Sequence, residues 1–175
     1  DGIIVQDYNK GLFTKEIIRW TVDKGKEYTV PVYVDPKYKN FSCYKNVRMI
    51  KPNLSEFRSY VGKDLELPQS GFRLKKELKT DILLLTKGAE GISIFYEDKY
   101  ESIGTKARAV HDVSGAGDTV IGTFALNDVC GLPPKDSAAL ANSAAGRVCG
   151  EVGISPINQD AFKEILYHHY NLSKK

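Results

Sequence analysis

Apolar residues along this chain come in short runs, each closed by turn formers, and the runs alternate between two periodicities. Residues 3–6, Ile-Ile-Val-Gln, read as a buried strand that ends at Asp7-Tyr8-Asn9-Lys10-Gly11. Thr14 then caps a predicted helix carrying Ile17, Ile18, Trp20 and Val22 and ending near Gly25. Pro31 to Asp35 predicts a second strand, closed by Pro36-Lys37, and Val47 to Ile50 a third, stopped by Pro52. A helix opens at Asn53-Leu54-Ser55-Glu56 and another covers 68–78. Ile82-Leu83-Leu84-Leu85-Thr86 is almost continuously apolar, as expected of a strand covered on both faces. After the glycine-punctuated turn 87–91, residues 92–97 and 99–103 predict antiparallel partners. Three helices follow at about 117–129, 135–149 and 159–170. Strand and helix in this alternation predict an α/β protein, a mostly parallel sheet flanked by helices in three layers.

Composition narrows the function. The 175 residues carry a formal charge of only +3, with the basic residues spread out, which argues against a nucleic-acid partner. No apolar run is long enough for a membrane span. Cys43, Cys130 and Cys149 are odd in number and form no Cys-x-x-Cys pair, which favours a reducing, cytoplasmic setting; Cys130 and Cys149 read as small buried residues. His111, His168 and His169 lack metal-ligand spacing with cysteine, and the last two read as solvent-facing. Because the chain opens directly into an apolar strand, it is expected to be part of a larger protein.

The chemistry concentrates in Asp112-Val113-Ser114-Gly115-Ala116-Gly117-Asp118-Thr119, which leads into an apolar helix pattern. Gly115, Ala116 and Gly117 place no bulky side chain over their own amides, so successive N–H groups at a helix N-terminus can face an anion. Asp118, in the first turn, is positioned to take a proton from an attacking hydroxyl. The plainer reading, a glycine turn with Asp118 complementing the helix dipole, is equally open on local pattern alone. Two other phosphate loops fail on spacing. Neither Gly25-Lys26 nor Gly62-Lys63 is followed by Ser or Thr, and Val120 stands where a dinucleotide fingerprint needs its third glycine or alanine.

Several of these segments, in order, resemble the C-terminal half of ribokinase-like (PfkB-type) carbohydrate kinases. The segment 112–119 is similar to that family's second signature, Asn53-x-x-Glu56 to its Asn-x-x-Glu motif, and 86–91 to its nucleotide loop. Ala141-Asn142-Ser143-Ala144-Ala145, with the loop 150–153, is similar to its adenine-side helix. Asp7-Tyr8-Asn9-Lys10-Gly11, Val34-Asp35-Pro36-Lys37 and Lys51-Pro52-Asn53-Leu54-Ser55-Glu56 resemble the heptose 7-phosphate kinase branch, with Asn9 where that branch more often has Gly. The resemblance implies that residues 1–175 form the nucleotide-binding and catalytic half of a sugar kinase, without the N-terminal sugar-binding part and β lid. A chain lacking those parts is expected to show weak or no turnover alone.

The implied reaction is ATP-dependent phosphorylation of a sugar or sugar-phosphate hydroxyl, with D-glycero-D-manno-heptose 7-phosphate at O1 as the acceptor. Other PfkB-type sugar or nucleoside kinases, and an inactive nucleotide-binding fragment, are the alternatives. By the same resemblance Asp118 is the catalytic base and Gly115, Ala116 and Gly117 form the anion hole. Asn53, Glu56, Thr86, Gly88, Gly91 and Asn142 are the nucleotide-side residues. Glu56 contributes to a Mg²⁺ site through water, although Asn53-x-x-Glu56 is also a helix capping box. Asn142 faces the adenine or ribose, or is a buried Asn bonded to backbone. Asp112 and Ser114 resemble a monovalent-cation (K⁺) site. Lys87 and Glu90 read as turn residues. Lys10 and Lys37 are candidates for phosphate contacts, and Asp7 and Asp35 end strands where α/β ligand sites gather. An exposed sheet edge would allow a homodimer.

Overall fold

The computed structural model describes residues 1–62, 66–105, 113–151 and 156–172. The strands are β1 (Ile3–Gln6), β2 (Val32–Asp35), β3 (Met49–Ile50), β4 (Ile82–Thr86), β5 (Ile92–Tyr96) and β6 (Lys99–Ile103). The helices are α1 (Lys15–Glu27), α2 (Leu54–Val61), α3 (Gln69–Leu78), α4 (Ala116–Val129), α5 (Pro134–Cys149) and α6 (Gln159–Leu172). They form two compact units, one of residues 1–88 and 92–102, the other of 89–91 and the residues from 103 onward.

The first unit is built on a six-stranded sheet in the order β1-β2-β3-β4-β5-β6. β1 to β4 pair in parallel and β4 with β5 antiparallel. The mostly parallel α/β reading therefore holds, with the change of sense where the sequence places its hairpin. β4 is buried on both faces, Leu83, Leu84 and Leu85 having no exposure. On one face Val5, Val34, Ile50, Leu83, Leu85 and Phe95 pack with Ile18, Phe41, Phe57, Leu74 and Leu78 in a single core. Each buried branched or aromatic side chain contributes roughly 1.5–3 kcal/mol of transfer free energy.

Three local expectations change. β1 is not a buried strand: it lies at the sheet edge, Val5 is covered, and Ile4 is 45% exposed. β3 shrinks to Met49–Ile50, because the carbonyls of Val47 and Arg48 accept from Asp81 and Ile82 N–H before regular pairing begins. Helix α1, capped as expected by Thr14 on the amide of Ile17, runs through Gly25 to Glu27. Gly25 is there for space, since a Cβ would stand 2.5 Å from Val32 Cγ2. Trp20 faces outward.

Tyr60 stacks on Phe41 and donates its hydroxyl to Glu77 Oε1 at 2.7 Å. Burial first, then the bond to Glu77, pushes its phenol up to about 12. A phenol that holds its proton more tightly when folded stabilises the fold below its ordinary value, and that contribution disappears as pH rises from 10 to about 12. Alkaline unfolding curves of Tyr60→Phe are accordingly expected to be flatter than wild type across that window. An identical slope would count against the shift.

In the second unit α4 and α5 pack along their lengths through small residues, with Ala138, Ala141 and Ala144 fully buried. This is the close approach that the Ala- and Ser-rich sequence of α5 predicts. Cys130 is exposed and Cys149 half-buried, not the buried pair expected, because both fall at helix ends. His169 is only partly solvent-facing; its Nε2 lies 3.5 Å from Asp136 Oδ1.

Candidate active site

In the second unit the glycine-rich segment turns directly into α4. Gly115 has φ +78, a left-handed conformation that a side chain would disfavour, and it is the N-cap of the helix. Among the described residues no side-chain hydrogen bond caps that terminus. The first-turn amides of a helix have no partner within it. Of these, the Ala116 N–H closes a turn onto Val113 O at 3.2 Å, so the anion-hole reading rests more on Gly117 and its neighbours than on Ala116. The Thr119 hydroxyl donates to Gly115 O at 2.9 Å, which braces the turn.

Asp118 is exposed, on the wall of a groove of about 500 Å³. Gly115, Thr119, Gly122 and Thr123 continue that wall; Ile157, Asn158, Gln159 and Phe162 line the groove as well. A carboxylate beside a helix N-terminus, next to a cavity of this size, can receive a proton from a bound alcohol while the amides attract an anion. Asp112 lies outside the described residues, so only Ser114 of the expected monovalent-cation pair is placed, in the exposed turn before the helix.

Gly91 and Asn142 meet at one point of the same unit. Asn142 Nδ2 donates to Gly104 O at 3.0 Å and lies 3.5 Å from Ile103 O. A Cβ on Gly91, whose φ is +89, would stand 2.1 Å from Ile103 O and 2.8 Å from Thr105 N. The backbone reading of Asn142 is thus realised at its amide nitrogen, and Gly91 is demanded by the chain itself. Gly91→Ala is expected to cost about 1–3 kcal/mol, because a backbone carbonyl cannot step aside as a side chain can. A thermal midpoint within a degree of wild type would contradict this.

In the first unit four charged side chains gather at the C-terminal ends of β2 and β3. Asp35 and Lys51 are both buried, and Lys51 Nζ lies 3.1 Å from Asp35 Oδ2. Lys37 Nζ lies 2.6 Å from Glu56 Oε1 and 3.8 Å from Asp35 Oδ1. The longer contact is an ion pair but too long for a hydrogen bond, and among the described residues Asp35 Oδ1 has no hydrogen-bond partner although it is buried. Burial pushes the Asp35 carboxyl above its ordinary range, against the pull of Lys51 and Lys37.

Glu56 serves two purposes. Its Oε2 accepts from Asn53 N–H while Asn53 Oδ1 accepts from Glu56 N–H, both at 2.8 Å, completing the capping box. Its Oε1 is the atom that meets Lys37. Thr86 is brought to the same place by a parallel bridge to Asn53. Space is open around Gly88, where an added Cβ would meet nothing within 4 Å. Lys87 lies against Ser102 Oγ at 3.1 Å, as a turn residue would. The Asp7 carboxylate is used within the fold: Asn40 Nδ2, Tyr44 OH and Asn9 N–H all donate to it, which ties down the loop after β1. Sequence reasoning assigned no role to Lys51; a lysine directly after an apolar β3 was the available signal.

Residues 1–161 match the model of the pfkB family of carbohydrate kinases. The chain belongs to this family. Among curated relatives, this PfkB chain is 36% identical over 174 residues to the bifunctional protein HldE of Syntrophotalea carbinolica. The match covers 97% of this chain and 36% of that protein. It is 38% identical over 161 residues to HldE of Proteus mirabilis, covering 90% and 34%. The chain therefore spans about a third of the length of these relatives. Among solved structures it is similar to ribokinase from Thermotoga maritima, with a TM-score of 0.78 at 19% identity, covering 95% of this chain and 57% of that one. Arabidopsis thaliana ribokinase complexed with ribose and ATP gives 0.79 at 20% identity, covering 93% and 55%. Escherichia coli phosphofructokinase-2 in complex with potassium gives 0.78 at 15%, covering 90% and 53%. These structural likenesses establish the ribokinase-type fold. The segment 113–119, which forms the mouth of α4, lies within the matched residues.

Proposed function

We propose that residues 1–175 are the nucleotide-binding and catalytic half of a sugar kinase that transfers the γ-phosphoryl group of ATP to a sugar or sugar-phosphate hydroxyl. The observation that carries this reading is the glycine-led N-terminus of α4 with Asp118 exposed on the adjoining groove. Asp118 takes the hydroxyl proton as the alcohol oxygen bonds to the γ-phosphorus. The bond from that phosphorus to the β,γ-bridging oxygen breaks, and ADP leaves with the electron pair. The amides at the helix mouth stabilise charge on the migrating group, in a reaction whose catalysis is mostly positioning and electrostatics.

Mg²⁺ fits the first unit. Among the described residues Asp35 Oδ1 is buried without a hydrogen-bond donor, and Glu56 Oε1 accepts from the Lys37 ammonium at 2.6 Å. The carboxylates of Asp35 and Glu56, which meet the same ammonium group, suit Mg²⁺, which uses one or two carboxylates and keeps most of its water. When bound, the ion supplies neutralising charge to the nucleotide phosphates. Ser114 and Asp112 are proposed for K⁺, supported by the potassium complex of a protein of the same fold.

Within the family the acceptor we favour is D-glycero-D-manno-heptose 7-phosphate at O1. The HldE relatives support it, as do the segments at 7–11, 34–37 and 51–56. A panel of this heptose phosphate, ribose, fructose 6-phosphate and adenosine, with phosphorus NMR on the product, tests the assignment on the protein carrying this chain. Preferred turnover of the heptose phosphate with a new anomeric phosphate is the expected result. Preference for another acceptor moves the protein to a different PfkB branch. Binding of ATP without turnover of any acceptor would make it a nucleotide-binding module instead.

A further inference from the structure

The two ammonium groups at the ends of β2 and β3 differ in freedom. The Lys51 side chain is 4% exposed and locked on Asp35 Oδ2. The Lys37 side chain is 36% exposed, lies beyond the strand, and touches the outer oxygens of both carboxylates. Among the described residues those two oxygens, Asp35 Oδ1 and Glu56 Oε1, meet no partner other than this ammonium group. Asp35 Oδ2 is committed to Lys51, and Glu56 Oε2 to the N-cap amide of α2. The four described groups, two carboxylates and two ammonium groups, balance in charge, so the acid pair is tolerated by its lysines.

We propose that the Lys37 ammonium is a built-in occupant of the divalent-cation position, bridging Asp35 and Glu56 until a cation displaces it. This rests on the Mg²⁺ reading of Glu56 above and adds to it that cation binding is an exchange. The Lys37 head group swings out to solvent, still protonated, and Lys51 stays behind. The α2 cap survives the exchange because it uses the other oxygen of Glu56. Lys37 is thus a positioning residue: it keeps Glu56 Oε1 aimed at the cation position while that position is empty of metal, and it opposes metal entry.

The test is Mn²⁺ binding, read by the loss of the free-ion paramagnetic resonance signal, on the full protein and its Lys37→Met, Lys37→Gln and Glu56→Gln variants. Removal of the ammonium is expected to tighten Mn²⁺ binding by at least about tenfold in both Lys37 variants, because a charge-assisted hydrogen bond no longer has to be broken. Glu56→Gln is expected to weaken it by a similar factor. If Glu56→Gln loses Mn²⁺ while the Lys37 variants bind no tighter than wild type, the exchange is overturned and the cation site stands. If Glu56→Gln binds Mn²⁺ like wild type, the cation reading fails and the exchange with it. A purely structural Lys37 would lower the thermal midpoint without tightening Mn²⁺, and that result also overturns the proposal.

Discussion

Asp118→Asn is expected to lower kcat by about 10²–10⁴-fold while leaving ATP affinity within about twofold of wild type. Asparagine keeps the shape and the hydrogen-bonding reach of the side chain, so the groove and the mouth of α4 should be preserved. What it lacks is a basic oxygen. An unperturbed carboxylate is a weak base in bulk water, and its value here comes from being held beside the alcohol while negative charge on the phosphoryl group meets the helix amides. Loss of that proton acceptor acts on the transition state and barely on nucleotide binding, so the split between kcat and affinity is the diagnostic result. Turnover near wild type would remove Asp118 from the chemistry and return it to a dipole-complementing role.

Lys51→Met is expected to destabilise the fold by about 3–5 kcal/mol, nearer the lower figure because Asp35 can escape by taking a proton. The side chain is buried on Asp35 Oδ2, and the remaining ammonium, Lys37, is 3.8 Å from the other oxygen and too far for a hydrogen bond. Burial already pushes the Asp35 carboxyl upward, so its strongest counter-charge cannot be withdrawn cheaply. Denaturant unfolding should show a lower midpoint at an unchanged slope. The double variant Asp35→Asn with Lys51→Met should cost clearly less than the sum of the single changes, since the two groups share one interaction. A single Lys51→Met variant within about 0.5 kcal/mol of wild type would mean the pair is not held as described.

Much of this protein was determined by neighbours in sequence. Thr14 and Asn53 cap their helices because a short polar side chain reaches an amide three residues on, whatever the rest of the chain does. The run 82–86 had to be covered on both sides, because no alternation offers a polar face to water. The turn into α4 favours glycine at 115, since its left-handed backbone strains residues with a side chain. These are short-range constraints, and a reader of the chain can evaluate them one segment at a time.

Tertiary structure decided which charges and which backbones meet. Local sequence makes Glu56 a capping residue, and resemblance adds a metal-side role; only tertiary structure brings the ammonium of Lys37, 19 residues away, to its second oxygen. Asp7 and Asp35 look alike at the ends of their strands. Yet Asn40, Tyr44 and the Asn9 amide satisfy the first, while the second keeps a buried oxygen without a hydrogen bond. Gly25 reads as a helix stop until Val32 is seen packed against it, and Gly91 as a simple turn until the Ile103 carbonyl fills its place. Partner choice between distant side chains depends on how strands are ordered and helices laid down. Local propensity carries no information about that, which is why the capping and the glycine turns were legible from the chain and the charge cluster was not.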